Sequence, residues 1–268
     1  MARSKSLSLL SPSSSSSPFT STDELPEVTV SDDGEVRHLH LGTPWIQGSM
    51  RVKEPFELEL EYIQRMMAWL LFVDPASVAG RHAMQLGLGA GAITKFCHKK
   101  LHMCCTAIEL NPQVLSVCRA WFKLPPDGPM LRVVLADAAE EIRSEEWRGT
   151  VDALAVDLYD HNAAAPVLDS ADFYADCRAL LTDDGTMTVN LFGHSSSYAA
   201  SLEKMATVFG EDALWAFRPT REGNTVVLAQ RTATPLKHAE LVLRCEAVQA
   251  RWDLPSAKWG RVFKPVAE

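Results

Sequence analysis

Apolar and polar positions alternate in blocks along the middle of the chain. Short apolar runs that suit buried strands recur, and between them the apolar positions fall at helical spacing. The predicted strands are Ala83–Leu88, Met103–Glu109, Leu131–Leu135, Val151–Val156 and Thr186–Phe192. The predicted helices between them are Ala90–Lys99, Pro112–Trp121, Ala138–Trp147 and Ser170–Leu181. This alternation of strands and helices predicts an α/β fold with a mostly parallel sheet and crossover helices on both faces.

Further elements are predicted on both sides of this block. Short strands are predicted within Glu27–Met50, and the apolar spacing predicts a helix over Glu57–Phe72. After a helix at about Ser197–Phe209, "ALWAFRP" and "NTVVLAQ" are joined by "TREG". This pair predicts a hairpin, and therefore a seven-stranded sheet with an antiparallel last strand. A final helix ends at about Arg251, and the aromatic-rich tail "RWDLPSAKWGRVF" is expected to fold back on the body.

A length of 268 residues suits one main domain with appendages. The predicted parts are a disordered Ser-rich tail (1–25), a small N-terminal β segment (26–56), the main α/β domain (57–231) and a C-terminal helix and tail (232–268). The first 22 residues hold the serine run Ser13–Ser17 and no acid, a composition that also occurs in transit peptides. Disorder is the favoured interpretation, because this segment has little apolar surface to bury.

Composition narrows the class of partner. The net charge of −8 argues against nucleic acid as a partner. No apolar stretch approaches the length that crosses a bilayer, so no membrane association is expected. The six cysteines form no CxxC pair. We therefore expect buried free thiols in a reducing compartment, a cytoplasmic location and no metal site.

The glycine-rich segment "LGLGAGAITKF" is the first sign of chemistry. Gly87, Gly89 and Gly91 follow a predicted strand and precede a predicted helix. Glycines at this place permit a tight turn and close approach of a ligand to the backbone, beside the positive end of the helix. Glu109 ends the next strand, where a carboxylate commonly accepts two hydrogen bonds from a ribose diol. Alone the glycine motif is weak, since glycine-rich strand ends also occur for packing reasons.

Two more acids stand at the carboxyl ends of predicted strands. Asp137 follows the third strand, and it suits both the ligand crevice and the start of the helix "DAAEEI". Asp157 ends the fourth strand, with Asp160 three residues later. Two close carboxylates in a cleft suit the binding and deprotonation of a cationic amine, although Asp160 equally suits loop capping.

Residues ahead of the main domain provide further candidates. Tyr62 lies on the helix before the first strand, where its hydroxyl reaches the cleft or its ring packs in the core. Gln47, with Trp45, either walls the ligand site from the β segment or fastens that segment to the body. The glycine spacing lacks the later glycine of the dinucleotide fingerprint, and the chain closes with a hairpin. Both features favour a nucleoside-type ligand such as S-adenosylmethionine over NAD.

Together these segments resemble the spermidine synthase (polyamine aminopropyltransferase) family. The matching motifs are "ELEYIQRMM", "LGLGAGAITKF", "AIELNPQVL", "VLADAAEEI", "AVDLYD" and "DFYADCRALLTDDGTMTVNLF". The resemblance implies a methyltransferase-like Rossmann fold and a homodimer. It also implies transfer of an aminopropyl group from decarboxylated S-adenosylmethionine to a polyamine, with release of methylthioadenosine. The donor would be a co-substrate, with no tightly bound cofactor.

The resemblance also assigns roles to residues. It implies that Glu109 binds the ribose hydroxyls, that Asp137 contacts the adenine, and that Asp157 is the base or the anchor of the attacking amine. Asp160 would stand beside Asp157, and Tyr62 matches the family's tyrosine on the preceding helix.

The chain departs from the family pattern at the amine end of the donor. Ala90 stands where the family usually carries an Asp that holds the donor's ammonium, and Ile63 stands where it carries His or Gln. "AAAPVL" replaces the family's "GPA" element. Three functions therefore remain open: an aminopropyltransferase, a methyltransferase that uses intact S-adenosylmethionine, and a non-catalytic nucleoside-binding relative.

Overall fold

The computed structural model of the protein describes residues 25–158, 168–192 and 195–267, without the side chains of 195 and 196. Residues 1–24 of the predicted Ser-rich tail lie outside the described residues, as does Asp160. The N-terminal β segment is a three-stranded antiparallel sheet of β1 (Val28–Asp32), β2 (Val36–Leu41) and β3 (Gly48–Arg51). It packs on the main domain through Leu39 and Met50, which are fully buried beside Leu88 and Ala90.

The main sheet has one strand more than the pattern predicts. Its strands are β4 (His82–Leu86), β5 (Cys104–Glu109), β6 (Leu131–Leu135), β7 (Val151–Val156), β8 (Leu181–Phe192), β9 (Leu214–Phe217), β10 (Asn224–Gln230) and β11 (Phe263–Pro265). They lie in the order β11-β9-β10-β8-β7-β4-β5-β6, and the five from β8 to β6 are parallel. β10 runs antiparallel to β8, as predicted. The eighth strand, β11, comes from the tail, which folds back against β9.

The helices are α1 (Glu61–Arg65), α2 (Ala92–Lys99), α3 (Pro112–Trp121), α4 (Ala138–Glu141), α5 (Ala171–Leu180), α6 (Ser195–Phe209) and α7 (His238–Trp252). Residues of α2 and α7 belong to the core on one face of the sheet, and residues of α5 and α6 belong to the core on the other. In the described part of the chain, no helix combines the length and apolar character needed to cross a membrane.

Two predicted helices are shorter than expected. The prediction of a helix over Glu57–Phe72 was wrong in extent: α1 is one short helix, followed by a 3-10 helix over Met66–Leu71. Every residue of the 3-10 helix is buried, so this segment lacks the exposed polar face of an amphipathic surface helix. It contacts β8, β10 and α7. The predicted helix Ala138–Trp147 stops at Glu141; beyond it the N–H groups of Arg143 and Ser144 donate to carbonyls three residues back, which makes tight turns in place of α-helical hydrogen bonds.

Candidate functional site

The glycine bend joins β4 to α2 in a conformation that favours glycine. Gly87, Gly89 and Gly91 have φ angles of 82°, 51° and 66°, and Gly91 is the N-cap of α2. A Cβ on Gly87 would lie 2.5 Å from the carbonyl oxygen of Asp157, and one on Gly89 would lie 3.2 Å from that of Gln47. The glycines therefore also let the end of β7 and the start of β3 approach the bend, a packing requirement that the motif alone did not reveal.

Gln85 fixes the shape of this bend. Its Nε2 donates to the carbonyl oxygen of Gly87 at 2.7 Å, and its Oε1 accepts from the N–H and the hydroxyl of Thr94 at 3.1 and 2.6 Å. The side chain is 4 % exposed, so it ties the bend to the first turn of α2 from inside the protein. Sequence reasoning missed Gln85, although a polar residue within the apolar run "MQLGL" was the available signal.

Glu109 faces the bend, as predicted from its place at the end of β5. Its Oε2 accepts the N–H of Leu88 and its Oε1 accepts that of Asn111, both at 2.8 Å. The residue is 9 % exposed. Burial raises the pKa of Glu109, and the backbone N–H groups oppose this rise. A carboxylate offers about four lone-pair sites, so acceptor capacity remains for a hydroxyl donor after these backbone bonds.

Asp157 comes directly after β7 and meets a residue from the N-terminal side of the fold. The hydroxyl of Tyr62, on α1, donates to Asp157 Oδ2 at 3.2 Å. The amide of Asn190, on β8, donates to Oδ1 at 3.0 Å. Burial raises the pKa of Asp157, while these two hydrogen bonds act in the opposite direction. The structure thus brings together Tyr62 and Asp157 beside the glycine bend, as the sequence analysis expected.

Asn190 is a site residue that the sequence analysis missed. It is 4 % exposed and lies on the same side of β8 as Thr186 and Thr188, both also buried. Polar residues at every second position of "TMTVNLF" were the available signal, because alternate residues share one face of a strand. The other face carries Val189 and packs in the core with α5 and α6.

The β segment closes one side of the bend. A Cβ on Gly48 would lie 2.7 Å from both the methyl carbon and the nitrogen of Ala90, so β3 rests directly on the Ala90 side chain. Gln47 precedes β3, and its Nε2 is a buried donor without a hydrogen-bond partner among the described residues. Trp45 is 64 % exposed, so it does not fasten the segment to the body. An unpartnered buried amide next to Gly89 suits a polar ligand at this place.

Asp137 caps a helix, one of the two roles that its position suggested. Its Oδ1 accepts the N–H of Ala139 at 2.8 Å at the start of α4. Glu109 pairs with Leu135 in the parallel ladder, and the carbonyl of Glu109 accepts the N–H of Ala136. Asp137 therefore stands at the strand end next to Glu109. Asp160, the remaining predicted site residue, lies outside the described residues.

A buried cation lies under the bend. Lys95, on α2, is 1 % exposed and donates to the carbonyl oxygen of Phe122 at 2.6 Å. Burial lowers its pKa to about 8.

Within the described ranges, no group of three or more His, Cys, Asp and Glu side chains is placed to hold a metal ion. The six cysteines are free, and five of them are buried, in agreement with the expected thiols.

The polar groups around the bend fall into two sets of different chemistry. The bend, Glu109 and Gln47 offer carboxylate and amide groups that suit the hydroxyls of a sugar. Asp157 offers a carboxylate whose pKa is raised by burial, which suits a group that takes up a proton. Gly87 joins the two sets, because its bare Cα lets the Asp157 backbone lie against the bend.

Known proteins with similar sequences share one name. The chain is 33 % identical over 234 residues to a polyamine aminopropyltransferase of Chromobacterium violaceum, with 87 % of each chain covered. It is 35 % identical over 205 residues to the polyamine aminopropyltransferase of Neisseria meningitidis, with 76 % of each chain covered. No family model matches the chain.

Solved structures show the same fold. A probable spermidine synthase from Corynebacterium glutamicum aligns with a TM-score of 0.73 at 18 % identity, over 94 % of this chain and 92 % of that one. A spermidine synthase in complex with the transition-state analogue AdoDATO aligns with a TM-score of 0.62 at 15 % identity, over 89 % of this chain and 85 % of that one. The predicted methyltransferase-like Rossmann fold is confirmed.

Proposed function

The chain belongs to the polyamine aminopropyltransferase (spermidine synthase) family, and from this premise we propose that it moves an aminopropyl group from decarboxylated S-adenosylmethionine to a polyamine. The observation that carries this proposal is the contact of Tyr62 with Asp157 beside the glycine bend. A carboxylate of raised pKa beside the bend supports a role of Asp157 in proton transfer next to a bound nucleoside donor.

The nucleoside end of the donor is assigned to the bend. The acceptor capacity left on Glu109 binds the ribose hydroxyls, and each such bond to a charged acceptor contributes about 1.5–3 kcal/mol. Gln47 Nε2, a buried donor that lacks a partner in the described part of the chain, gains an acceptor from the ligand. Asp137 contacts the adenine while it caps α4.

The acceptor amine is assigned to Asp157. Its ammonium must lose a proton before its lone pair attacks, and Asp157 takes that proton. The nitrogen then bonds to the donor carbon next to sulfur, the carbon–sulfur bond breaks, and methylthioadenosine leaves as a neutral thioether. Because burial raises the pKa of Asp157, this base retains a proton more readily than an exposed aspartate does. Asp160 assists it in binding the amine.

Ala90 favours a second candidate function. The family's carboxylate for the donor ammonium is absent there, and β3 lies directly against the Ala90 methyl group. A methyltransferase that uses intact S-adenosylmethionine has no need of that carboxylate. The two functions release different products, methylthioadenosine and S-adenosylhomocysteine.

The test is an assay of product release by the purified chain. Decarboxylated S-adenosylmethionine is supplied with putrescine, cadaverine, agmatine or spermidine, and intact S-adenosylmethionine is supplied in parallel. We expect methylthioadenosine from the wild type and at least a hundredfold less from Asp157→Asn, since a positioned general base typically contributes about 10²–10⁴ in rate. Methylthioadenosine at background level with every amine would refute the proposal, and S-adenosylhomocysteine would establish the methyltransferase.

The family resemblance also supports a cytoplasmic homodimer. Sedimentation of the full chain measures the oligomeric state directly, and a monomer at micromolar concentration would contradict this part.

A further inference from the structure

A chain of side-chain amides leads away from Asp157 across the sheet. Asn190 donates to Asp157 Oδ1 at 3.0 Å, and the Nδ2 of Asn224 donates to Asn190 Oδ1 at 3.1 Å. The three residues stand on neighbouring strands. Val156 pairs with Val189, which makes Asp157 and Asn190 lateral neighbours, and Asn224 pairs with Phe192, which makes it a diagonal neighbour of Asn190.

We propose that Asn224 and Asn190 form a two-amide relay that orients the Asp157 carboxylate and favours its ionised form. An ionised carboxylate only accepts hydrogen bonds, so Asn190 must present its NH₂ group to Asp157. Its oxygen then points to β10, where the Asn224 NH₂ group satisfies it. Both are positioning residues. The proposal rests on the function proposed above for Asp157, whereas its effect on the carboxylate itself is measurable without catalysis.

Backbone contacts hold the far end of the relay in place. The N–H of Asn224 donates to the Thr220 hydroxyl, and the N–H of Thr220 donates to the Asn224 carbonyl oxygen at 2.8 Å. These bonds close the β9–β10 turn, in which Gly223 has a φ of 98°. The turn therefore fixes Asn224, Asn224 fixes the amide orientation of Asn190, and Asn190 fixes Asp157.

Few other polar groups of the described residues contact the Asp157 carboxylate. Tyr62 is the one titratable side chain of the described residues that hydrogen-bonds to it. Arg65 lies one turn further along α1, but it pairs with Glu61 and donates to the Arg218 carbonyl oxygen. The Leu86 carbonyl of β4 accepts the Asp157 N–H, and the backbone of Gly87, which follows β4, lies against the Asp157 carbonyl oxygen. The relay and the tyrosine are thus the polar contacts that act on this carboxylate in the described part of the chain.

The test compares two substitutions at Asn224 with one at Asn190. Asn190→Leu removes the donor to Asp157. Asn224→Asp is isosteric, but the new carboxylate attracts the Asn190 NH₂ group and turns the amide oxygen toward Asp157. Asn224→Leu removes the partner without reversing the amide. Gln230→Glu is the matched control, since it makes the same change of amide to acid at the other end of β10.

The first readout is the titration of the Asp157 carboxyl carbon by NMR of aspartate-labelled protein, assigned with Asp157→Asn. We expect the midpoint to move upward in Asn190→Leu and in Asn224→Asp, to move less in Asn224→Leu, and to stay in place in Gln230→Glu. The relay is wrong if the midpoint stays unchanged in Asn190→Leu or in Asn224→Leu, because the added charge of Asn224→Asp raises the midpoint by direct repulsion as well. A purely structural role predicts losses of stability without this order of midpoints.

The second readout is turnover. We expect kcat to fall about 10–100-fold in Asn190→Leu, as for the loss of one hydrogen bond to a charged group, with the donor KM unchanged. The low-pH limb of kcat should move upward together with the NMR midpoint. If the midpoints follow the expected order but the wild type releases no methylthioadenosine, the relay stands and the proposed function fails. If the wild type is active and the midpoints do not move, the relay alone fails.

Discussion

Gly87→Ala tests whether a glycine is required at position 87 for the Asp157 backbone to lie against the bend. Gly80→Ala is its matched control, because Gly80 has a φ of 83° against 82° for Gly87, and a Cβ on Gly80 meets nothing within 4 Å. Both variants place alanine in a left-handed conformation, which costs about 1–3 kcal/mol. Only the Cβ at position 87 also lies 2.5 Å from the Asp157 carbonyl oxygen, inside van der Waals contact.

The extra cost at Gly87 follows from what must move. Asp157 is held by its own N–H, which donates to the Leu86 carbonyl at 3.1 Å, so its carbonyl retreats only if the end of the β4–β7 ladder opens. Overpacking of this kind costs about 1–3 kcal/mol beyond the backbone strain. Urea unfolding should therefore show Gly87→Ala less stable than Gly80→Ala by about this amount. Turnover should fall in Gly87→Ala alone. Equal stabilities, or full activity in Gly87→Ala, would refute this reasoning.

Three further predictions concern titrating groups. Asp157→Asn should lose activity and yet be more stable than the wild type at neutral pH. This gain should vanish at acid pH. The pKa of Asp157 is higher in the folded than in the unfolded state, so the wild type loses stability as the pH rises and the carboxyl ionises. A stability difference that stays constant from pH 4 to pH 8 in urea unfolding contradicts this. Tyr62→Phe should move the low-pH limb of the kcat profile to higher pH, because the Tyr62 hydroxyl favours the ionised form of Asp157. A limb at the wild-type pH shows that this hydrogen bond does not affect the Asp157 carboxylate during turnover. The free energy of unfolding of the wild type relative to Lys95→Met should rise between pH 8 and 10.5, because folded Lys95 releases its proton at about 8 and unfolded lysine at 10.5. A difference that does not change with pH contradicts the lowered pKa of Lys95.

The sequence predicted the parallel strands well because their signal is local. β6 and β7 have the predicted bounds, and α3 begins and ends where the pattern places it, with Pro112 at its first turn and Asn111 as its cap. Their apolar runs are bounded by turn and cap residues that act within a few positions. β11 was missed because three residues carry no period, and its partner β9 lies far away in the chain.

The site was predicted where its residues stand at strand ends, and missed where the role depends on a neighbouring strand. Glu109 and Asp157 follow apolar runs, so topology places them in the crevice. Gln85 and Asn190 lie inside strands, and their partners are set by register and by which face each strand buries. The close approach of Gly48 to Ala90 likewise depends on how the β segment docks, which no local pattern contains.

The most direct test of the account is the affinity for methylthioadenosine, measured by calorimetry on the wild type, Glu109→Gln and Glu146→Gln. The control Glu146 is an exposed acid paired with Arg132, so its change leaves the crevice intact. The account predicts binding by the wild type and by Glu146→Gln, and binding about 10–100-fold weaker by Glu109→Gln, since one charged hydrogen-bond acceptor for the ribose is lost. Equal affinity of Glu109→Gln and the wild type, or a wild type that does not bind the nucleoside, would contradict it.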